Sequence, residues 1–295
     1  MLSILIPTYN YNAFPLVSEL KKQADYAGID YEILVQDDAS FSTLNNENQN
    51  INTIKNCFFF VNNHNLGRAG NLNSLVAKAK FEWILFLDCD TFPTQEKFIK
   101  NYIKATISNN SIVFGGIVYK NKKPKKEALL RWVYGQKREA LPLSERNKNP
   151  AYSALTSNLL IKKEILEKHP FDDSITQYGY EDLCFFSELN KNHFEVTHIV
   201  NPTYHLDLET SGLFLKKTQT ALENLLLLEK SKKLSAQESK IIAVQQKLEN
   251  LKLTACAAYM FSKIKSKIES NLLSEKPSLF WFDMYKLGYY CTLKK

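Results

Sequence analysis

Two aspartates separated by one residue, Asp88-Cys89-Asp90, follow an apolar run that ends at Leu87. Carboxylates two positions apart, delivered by a buried strand, make a hard oxygen site for Mg2+ or Mn2+ and for a diphosphate carried on the ion. A second acidic pair, Asp37-Asp38, follows the apolar run Tyr31–Gln36, where a carboxylate can accept from a base or ribose donor. Ahead of both, Ile6-Pro7-Thr8-Tyr9-Asn10 closes the first apolar run. Pro7 removes a backbone donor and stiffens the turn, exposing neighbouring carbonyls and the Thr8 hydroxyl. Between the acidic pairs lies Asn65-Leu66-Gly67-Arg68-Ala69-Gly70-Asn71-Leu72-Asn73. Gly67 lets the chain turn, and Arg68 sits near a helix N-terminus, where its fixed charge can face a base or phosphates. Each feature also has a plain structural reading: polar residues end strands as caps or Asx turns, and Asn65 can cap a helix.

The elements that must position these residues are legible in the apolar pattern. Leu2–Ile6, Tyr31–Gln36, Cys57–Val61 and Trp83–Leu87 read as buried strands, and amphipathic stretches near Phe14–Ala27, Arg68–Lys80 and Gln95–Ser108 lie between or after them. The βαβα alternation predicts a mostly parallel sheet flanked by helices, an α/β fold. Right-handed crossovers then bring the carboxyl ends of the strands to one edge, where ligands bind in open sheets. Further strands are expected at Ser111–Tyr119, Ala154–Ile161 and Phe194–Val200, around a helix that begins near Glu181. From about Ser211 the pattern turns helical: Ser235-Ala-Gln-Glu238 reads as a capping box, and Ile241, Val244, Leu248, Leu251 and Ala255 follow at three-and-four spacing. The expected organisation is an α/β domain over 1–210, divided into two halves (1–118 and 119–210), with a helical extension over 211–295. The helical spacing through Ile241–Ala255 leaves room for a homodimer through these helices.

With 295 residues and a 44% apolar fraction, the chain can bury a core without staples. Five scattered cysteines form no CxxC pair, so neither a disulfide framework nor a zinc knuckle is suggested, and a cytoplasmic setting fits. No run reaches the roughly 18 apolar residues a membrane span needs, and a strand pattern begins at Leu2 with no leader before it. Lys120–Lys148 carries ten Lys/Arg against three acids, 10 − 3 = +7, equal to the whole-chain charge. That block suits an anionic acceptor or the inner surface of a membrane, or is simply a solvated loop; no nucleic-acid partner is expected.

In this order and at these intervals the motifs resemble those of glycosyltransferase family 2: Pro7–Asn10 at the first strand end, Asp37–Ser40, Asn65–Asn73 and Asp88–Asp90. The resemblance covers residues 1–115 most firmly, extends to about 210 and is absent from the tail. It implies a GT-A fold and an inverting, nucleotide-sugar-dependent transferase. By resemblance, Asp38 contacts the uracil or other base, with Pro7, Thr8 and Tyr9 lining its pocket. Arg68 contacts the donor, Asp88 faces the ribose, and Asp90 ligates the metal. Cys89, between the two aspartates, is expected to point the other way.

The second half supplies the rest of the likeness. Tyr178-Gly179-Tyr180-Glu181-Asp182-Leu183 resembles the family's Gly-aromatic-Glu-Asp signature, although carboxylates at a helix N-terminus are also ordinary capping. The reaction needs one carboxylate to take the acceptor proton, and the assignment is Asp182 as base, with Glu181 and Tyr180 holding the acceptor. Trp132, inside the basic segment, is available to stack on a sugar ring. His205, in Thr203-Tyr204-His205, resembles the family's third metal ligand, and an imidazole beside carboxylates favours Mn2+ over Mg2+. Phe280, Trp281, Phe282, Tyr285, Tyr289 and Tyr290 are either an interfacial anchor or core aromatics. The implied function is transfer of a hexosyl or N-acetylhexosaminyl group, by default from a UDP-sugar, to a saccharide or lipid-linked acceptor. The rivals are a nucleotidyltransferase acting on sugar phosphates, which would carry a Gly-rich loop where Pro7–Asn12 has no Gly, and a silent sugar-binding scaffold. A dehydrogenase is excluded by the lack of Gly-x-Gly-x-x-Gly after the first strand.

Overall fold

The apolar runs form Leu2–Thr8 (β1), Tyr31–Asp37 (β2), Cys57–Val61 (β3) and Trp83–Leu87 (β4). In the computed structural model, which describes residues 1–108 and 110–295, these are parallel neighbours in the order β3-β2-β1-β4. Every residue of β1, β2 and β4 is buried, as a parallel sheet covered on both faces demands. Thr91–Pro93 (β5), Ile112–Phe114 (β6), Ile117–Val118 (β7), Asn158–Lys162 (β8), Thr197–His198 (β9) and Thr203–His205 (β10) follow in the chain. β8, β6 and β9 extend the large sheet beyond β4, with β8 antiparallel to both neighbours. A small sheet is built β5-β10-β7, its β5 and β10 antiparallel.

Pro7 lies inside β1 rather than in the turn after it. The bonds from Leu2 N–H to Asp30 O and from Asp38 N–H to Thr8 O show that the even residues of β1 face β2. Pro7 therefore faces β4, whose pairing with β1 ends at Leu5, so the donor it lacks is not missed. The helix Phe14–Ala27 matches its amphipathic stretch: a proline occupies its first turn, Leu16, Val17, Leu20 and Ala24 are buried, and Gly28 closes it at φ 64°. The expected strand 111–119 is instead two, broken at Gly115-Gly116. A Cβ on Gly115 would collide with Asn201 O, Tyr102 Oη and Asn158 Nδ2, so a close approach of three groups requires glycine there.

Two compact units emerge. One comprises 1–118, 140–176 and 188–207; the other 119–139, 177–187 and 208–295. The first contains all ten strands and a core that includes Ile4, Leu20, Val35, Leu85 and Tyr102. The second is helical, with Leu130, Phe214, Phe261, Leu272, Phe282 and Tyr285 at its centre. Of the C-terminal aromatics, Phe282, Tyr285 and Tyr290 are core residues, and Phe280 and Trp281 are exposed. The helix expected through Ile241–Ala255 is interrupted: one ends at Asn250, another starts at Thr254, and Lys252 between them has φ 56°. Its inward face is Ile242 and Gln245 rather than Val244, which is exposed. The Ser235/Glu238 box does form, Ser235 Oγ and N–H both bonding Glu238, yet it closes a turn, and Ser239 caps the helix Lys240–Asn250. Two charges of the basic segment are buried: Arg131 on Glu139 and Arg146 on the Phe114 and Ile199 carbonyls. Among the described residues no helix is long and apolar enough to cross a membrane.

Candidate functional site

Because β1, β2 and β4 run parallel, the residues that follow Thr8, Asp37 and Leu87 emerge at one edge of the sheet in the first unit. Asp37 turns back: its two oxygens accept from the Ser40 N–H (2.9 Å) and hydroxyl (2.6 Å). Asp38 reaches across to the next connection, where its Oδ1 accepts from Asn62 Nδ2 and the Leu66 N–H, both at 2.8 Å. Both donors share one oxygen. Ala39 and Phe41, flanking Ser40, adopt left-handed backbone at φ 55° and 52°, so this loop is held in a conformation costly to side-chain-bearing residues.

The Asn-rich motif is spent largely on backbone. Asn65 Oδ1 accepts from the Gly67 N–H (2.9 Å) at the start of the helix Gly67–Lys78. Asn71 exchanges bonds with Gln36, tying that helix to β2, and Asn73 bonds both the N–H and carbonyl of Phe171. Arg68 instead projects to Asp88, with Nη2 to Oδ1 at 2.8 Å, and to Thr156 Oγ1 at 2.8 Å. Of the three strand-end residues expected to line the base pocket, Pro7 and Thr8 are enclosed and Tyr9 alone is exposed, at 60%.

The acidic turn is closed by Thr91, whose N–H and hydroxyl both donate to Asp88 O. β5 then pairs with β10 so that Thr91 stands opposite His205, and Leu206 N–H donates to Asp90 O at 2.8 Å. That register brings His205 Nε2 to 3.3 Å from Asp90 Oδ2. Burial pushes the Asp90 carboxyl above its usual range; Asp88 and Asp207 push the same way, against His205 and Arg68. Three carboxylates face one fixed cation, a surplus a divalent ion would relieve. Among the described residues no group of three or more His, Cys, Asp or Glu could hold an ion alone. The Asp90–His205 pair offers a carboxylate and an imidazole, two side chains of the types that hold Mn2+ or Mg2+. Cys89 turns away and packs against the core, burial raising its thiol. Two residues the motifs did not mark join the site. Burial and the nearby Asp90 and Asp207 push the Tyr11 phenol up to about 12. Neither Tyr11 nor Asp207 belongs to a recurring spacing; Tyr11 follows the end of β1, and the pairing of β5 with β10 brings the segment of Asp207 to the acidic turn.

The other expected residues lie in the second unit. Glu181 and Asp182 open the helix Glu181–Lys191. Gly179 (φ 101°) and Tyr180 (φ 72°) precede them in left-handed backbone, and the Gly179 N–H reaches both Glu181 carboxylate oxygens at 3.0 Å. Trp132 is half-buried and spends its indole N–H on Lys120 O (2.9 Å).

The family model for glycosyl transferase family 2 matches residues 3–169, more than half of the chain. No curated protein matches. Among solved structures, mannosyltransferase PcManGT from Pyrobaculum calidifontis, in complex with GDP-Man and Mn2+, is 15% identical with a TM-score of 0.60, over 99% of this chain and 84% of that one. S. aureus TarS 1-349 in complex with UDP-GlcNAc is 15% identical with a TM-score of 0.53, over 98% and 89%. A longer TarS chain is 18% identical with a TM-score of 0.52 over 76% of this chain, but only 39% of that chain is covered. These neighbours share the expected architecture, a mostly parallel central sheet flanked by helices with further helices at the C-terminus.

Proposed function

Since the chain belongs to glycosyl transferase family 2, we propose that it transfers a sugar from a nucleoside diphosphate sugar to an acceptor hydroxyl, with inversion. The observation that carries this reading is the Asp90–His205 pair, 3.3 Å apart at the edge where β1, β2 and β4 end. Asp38 receives a donor group of the nucleotide base, since both its protein donors crowd onto Oδ1. Arg68 and Asp88 hold one another beside the ribose and phosphates. Asp90 and His205 would hold Mn2+ or Mg2+, which when bound neutralises the departing diphosphate. In the transfer, Asp182 takes the acceptor O–H proton as that oxygen bonds the anomeric carbon. The bond from that carbon to the diphosphate oxygen breaks, and the nucleoside diphosphate leaves. One displacement inverts the configuration.

The nucleotide is taken as uridine diphosphate and the sugar as a hexose or N-acetylhexosamine. Two structural neighbours were solved with UDP-GlcNAc and GDP-Man, both nucleoside diphosphate sugars. A saccharide or lipid-linked acceptor with anionic groups suits Lys120, Lys122, Lys123, Lys125 and Lys126, all exposed, with Trp132 nearby in sequence to stack on a ring. Five free cysteines fit a cytoplasmic location. The test is nucleoside diphosphate release from a panel of UDP- and GDP-sugars with Mn2+, Mg2+ or EDTA. Metal-dependent release from one donor is expected; no release from any, or release indifferent to EDTA, overturns the proposal.

A further inference from the structure

The helix Ser211–Lys230 lies outside the stretch matched by the family model, yet one stripe of it grips the loop that presents Glu181 and Asp182. Lys217, Ala221 and Asn224 follow at four-and-three spacing, so they share a face. Lys217 Nζ lies 5.3 Å from the centre of the Tyr178 ring. Ala221 packs so close to Gly179 that a Cβ there would lie 2.5 Å from its own. Asn224, 3% exposed, donates from Nδ2 to Gly179 O at 2.6 Å and to Gln177 O at 3.2 Å.

The loop needs this grip, because its conformation is not one the chain adopts unaided. Gly179 and Tyr180 are consecutive left-handed residues, and Tyr180 is not a glycine. Their arrangement sets the start of the helix Glu181–Lys191: Tyr180 O accepts the Cys184 N–H at 2.9 Å, and Gly179 N–H is held by Glu181. An amide that holds the carbonyls of Gln177 and Gly179, on either side of Tyr178, thereby fixes the approach to the first helical turn, where Asp182 sits. We propose that Asn224 is a positioning residue for the proton-accepting carboxylate. The proposal rests on the assignment of Asp182 as base.

Asn224→Asp is the sharpest variant, because it keeps the side-chain shape and removes the donor; Asn224→Ala is its companion. Two measurements are made on the full chain. In hydrogen exchange, the amides of Gly179 and Cys184 are expected to exchange at least tenfold faster in both variants, over and above any change at the slowest-exchanging core amides, which report the loss of global stability. In kinetics with the donor the wild-type protein hydrolyses, kcat is expected to fall tenfold or more while the donor KM stays within twofold. A merely structural role would speed exchange uniformly across the core amides and leave kcat per folded molecule at the wild-type value. Unchanged exchange at Gly179 and Cys184, or faster exchange with wild-type kcat while Asp182→Asn abolishes turnover, overturns the positioning role alone. Wild-type kcat in Asp182→Asn removes the base assignment, and the positioning role with it.

Discussion

His205 Nε2 stands 3.3 Å from Asp90 Oδ2 because the antiparallel pairing of β5 with β10 sets Thr91 opposite His205. An imidazole on β10 and a carboxylate in the turn that leads into β5 are a ready-made pair of metal ligands. Replacing either, as Asp90→Asn or His205→Ala, is expected to weaken Mn2+ binding by at least tenfold and to lower turnover by two or more orders of magnitude. Titration with Mn2+ followed by paramagnetic relaxation of water separates loss of the ion from loss of chemistry. Wild-type Mn2+ affinity in both variants would remove the pair from the metal site.

Asp38 joins two jobs that a substitution can separate. Its Oδ1 satisfies Asn62 and the Leu66 N–H, so Asp38→Ala leaves the Leu66 N–H without this acceptor and Asn62 with Asn71 Oδ1 at 3.2 Å, and should cost about 1–3 kcal/mol of stability. Asp38→Asn keeps an acceptor oxygen and the size, so it should cost less in melting temperature. It also replaces the oxygen assigned to the nucleotide with an amide donor, and the donor KM is expected to rise tenfold or more. A donor KM equal to wild type in Asp38→Asn would falsify the base contact.

Glu229 gives the C-terminal helices a pH dependence. Burial pushes its carboxyl up, but Lys294 at 2.7 Å and the Tyr290 hydroxyl at 2.5 Å outweigh burial and hold it below its ordinary value. A carboxyl depressed in the folded state contributes stability above its unfolded pKa and loses it as pH falls through the folded one. Glu229→Gln is therefore expected to lower the melting temperature at pH 7, and the gap to wild type should close as pH drops below about 4. Parallel melting curves at pH 7 and pH 3.5 check this; a constant gap contradicts it.

How much of this was legible from residues alone follows from what each signal encodes. Buried parallel strands carry a continuous apolar run, so Cys57–Val61 and Trp83–Leu87 are bounded correctly by composition. Strand direction has no such signature, and nothing in Asn158–Lys162 announces that it runs against β4. The break at Gly115-Gly116 comes from groups distant in sequence that fill the space a side chain would need. Within the Asn65–Asn73 motif the asparagines bond backbone, while Arg68 turns to Asp88. A pattern of residue types cannot separate those duties, because an amide that holds a strand and one that holds a ligand look identical in sequence.

Asn158 ties the first unit together at the point where β8 leaves the acidic edge. Its Nδ2 donates to Gly116 O (2.8 Å) and Asn201 O (2.9 Å), and its Oδ1 accepts from the Tyr102 hydroxyl (2.7 Å). Asn201, equally buried, passes the network on to Phe98 O, Gln95 and Asn101. In a fully enclosed site each orphaned group pays its desolvation in full, so Asn158→Ala should destabilise by about 2–5 kcal/mol, more than a comparable apolar truncation. Asn158→Asp is the discriminating variant: it keeps the acceptor for Tyr102 but sets a carboxylate oxygen against two carbonyls, and it should be at least as destabilising as Ala. Urea unfolding followed by tryptophan fluorescence measures both. A midpoint for Asn158→Asp close to wild type would mean the amide donors are not what holds Gly116 and Asn201 in place.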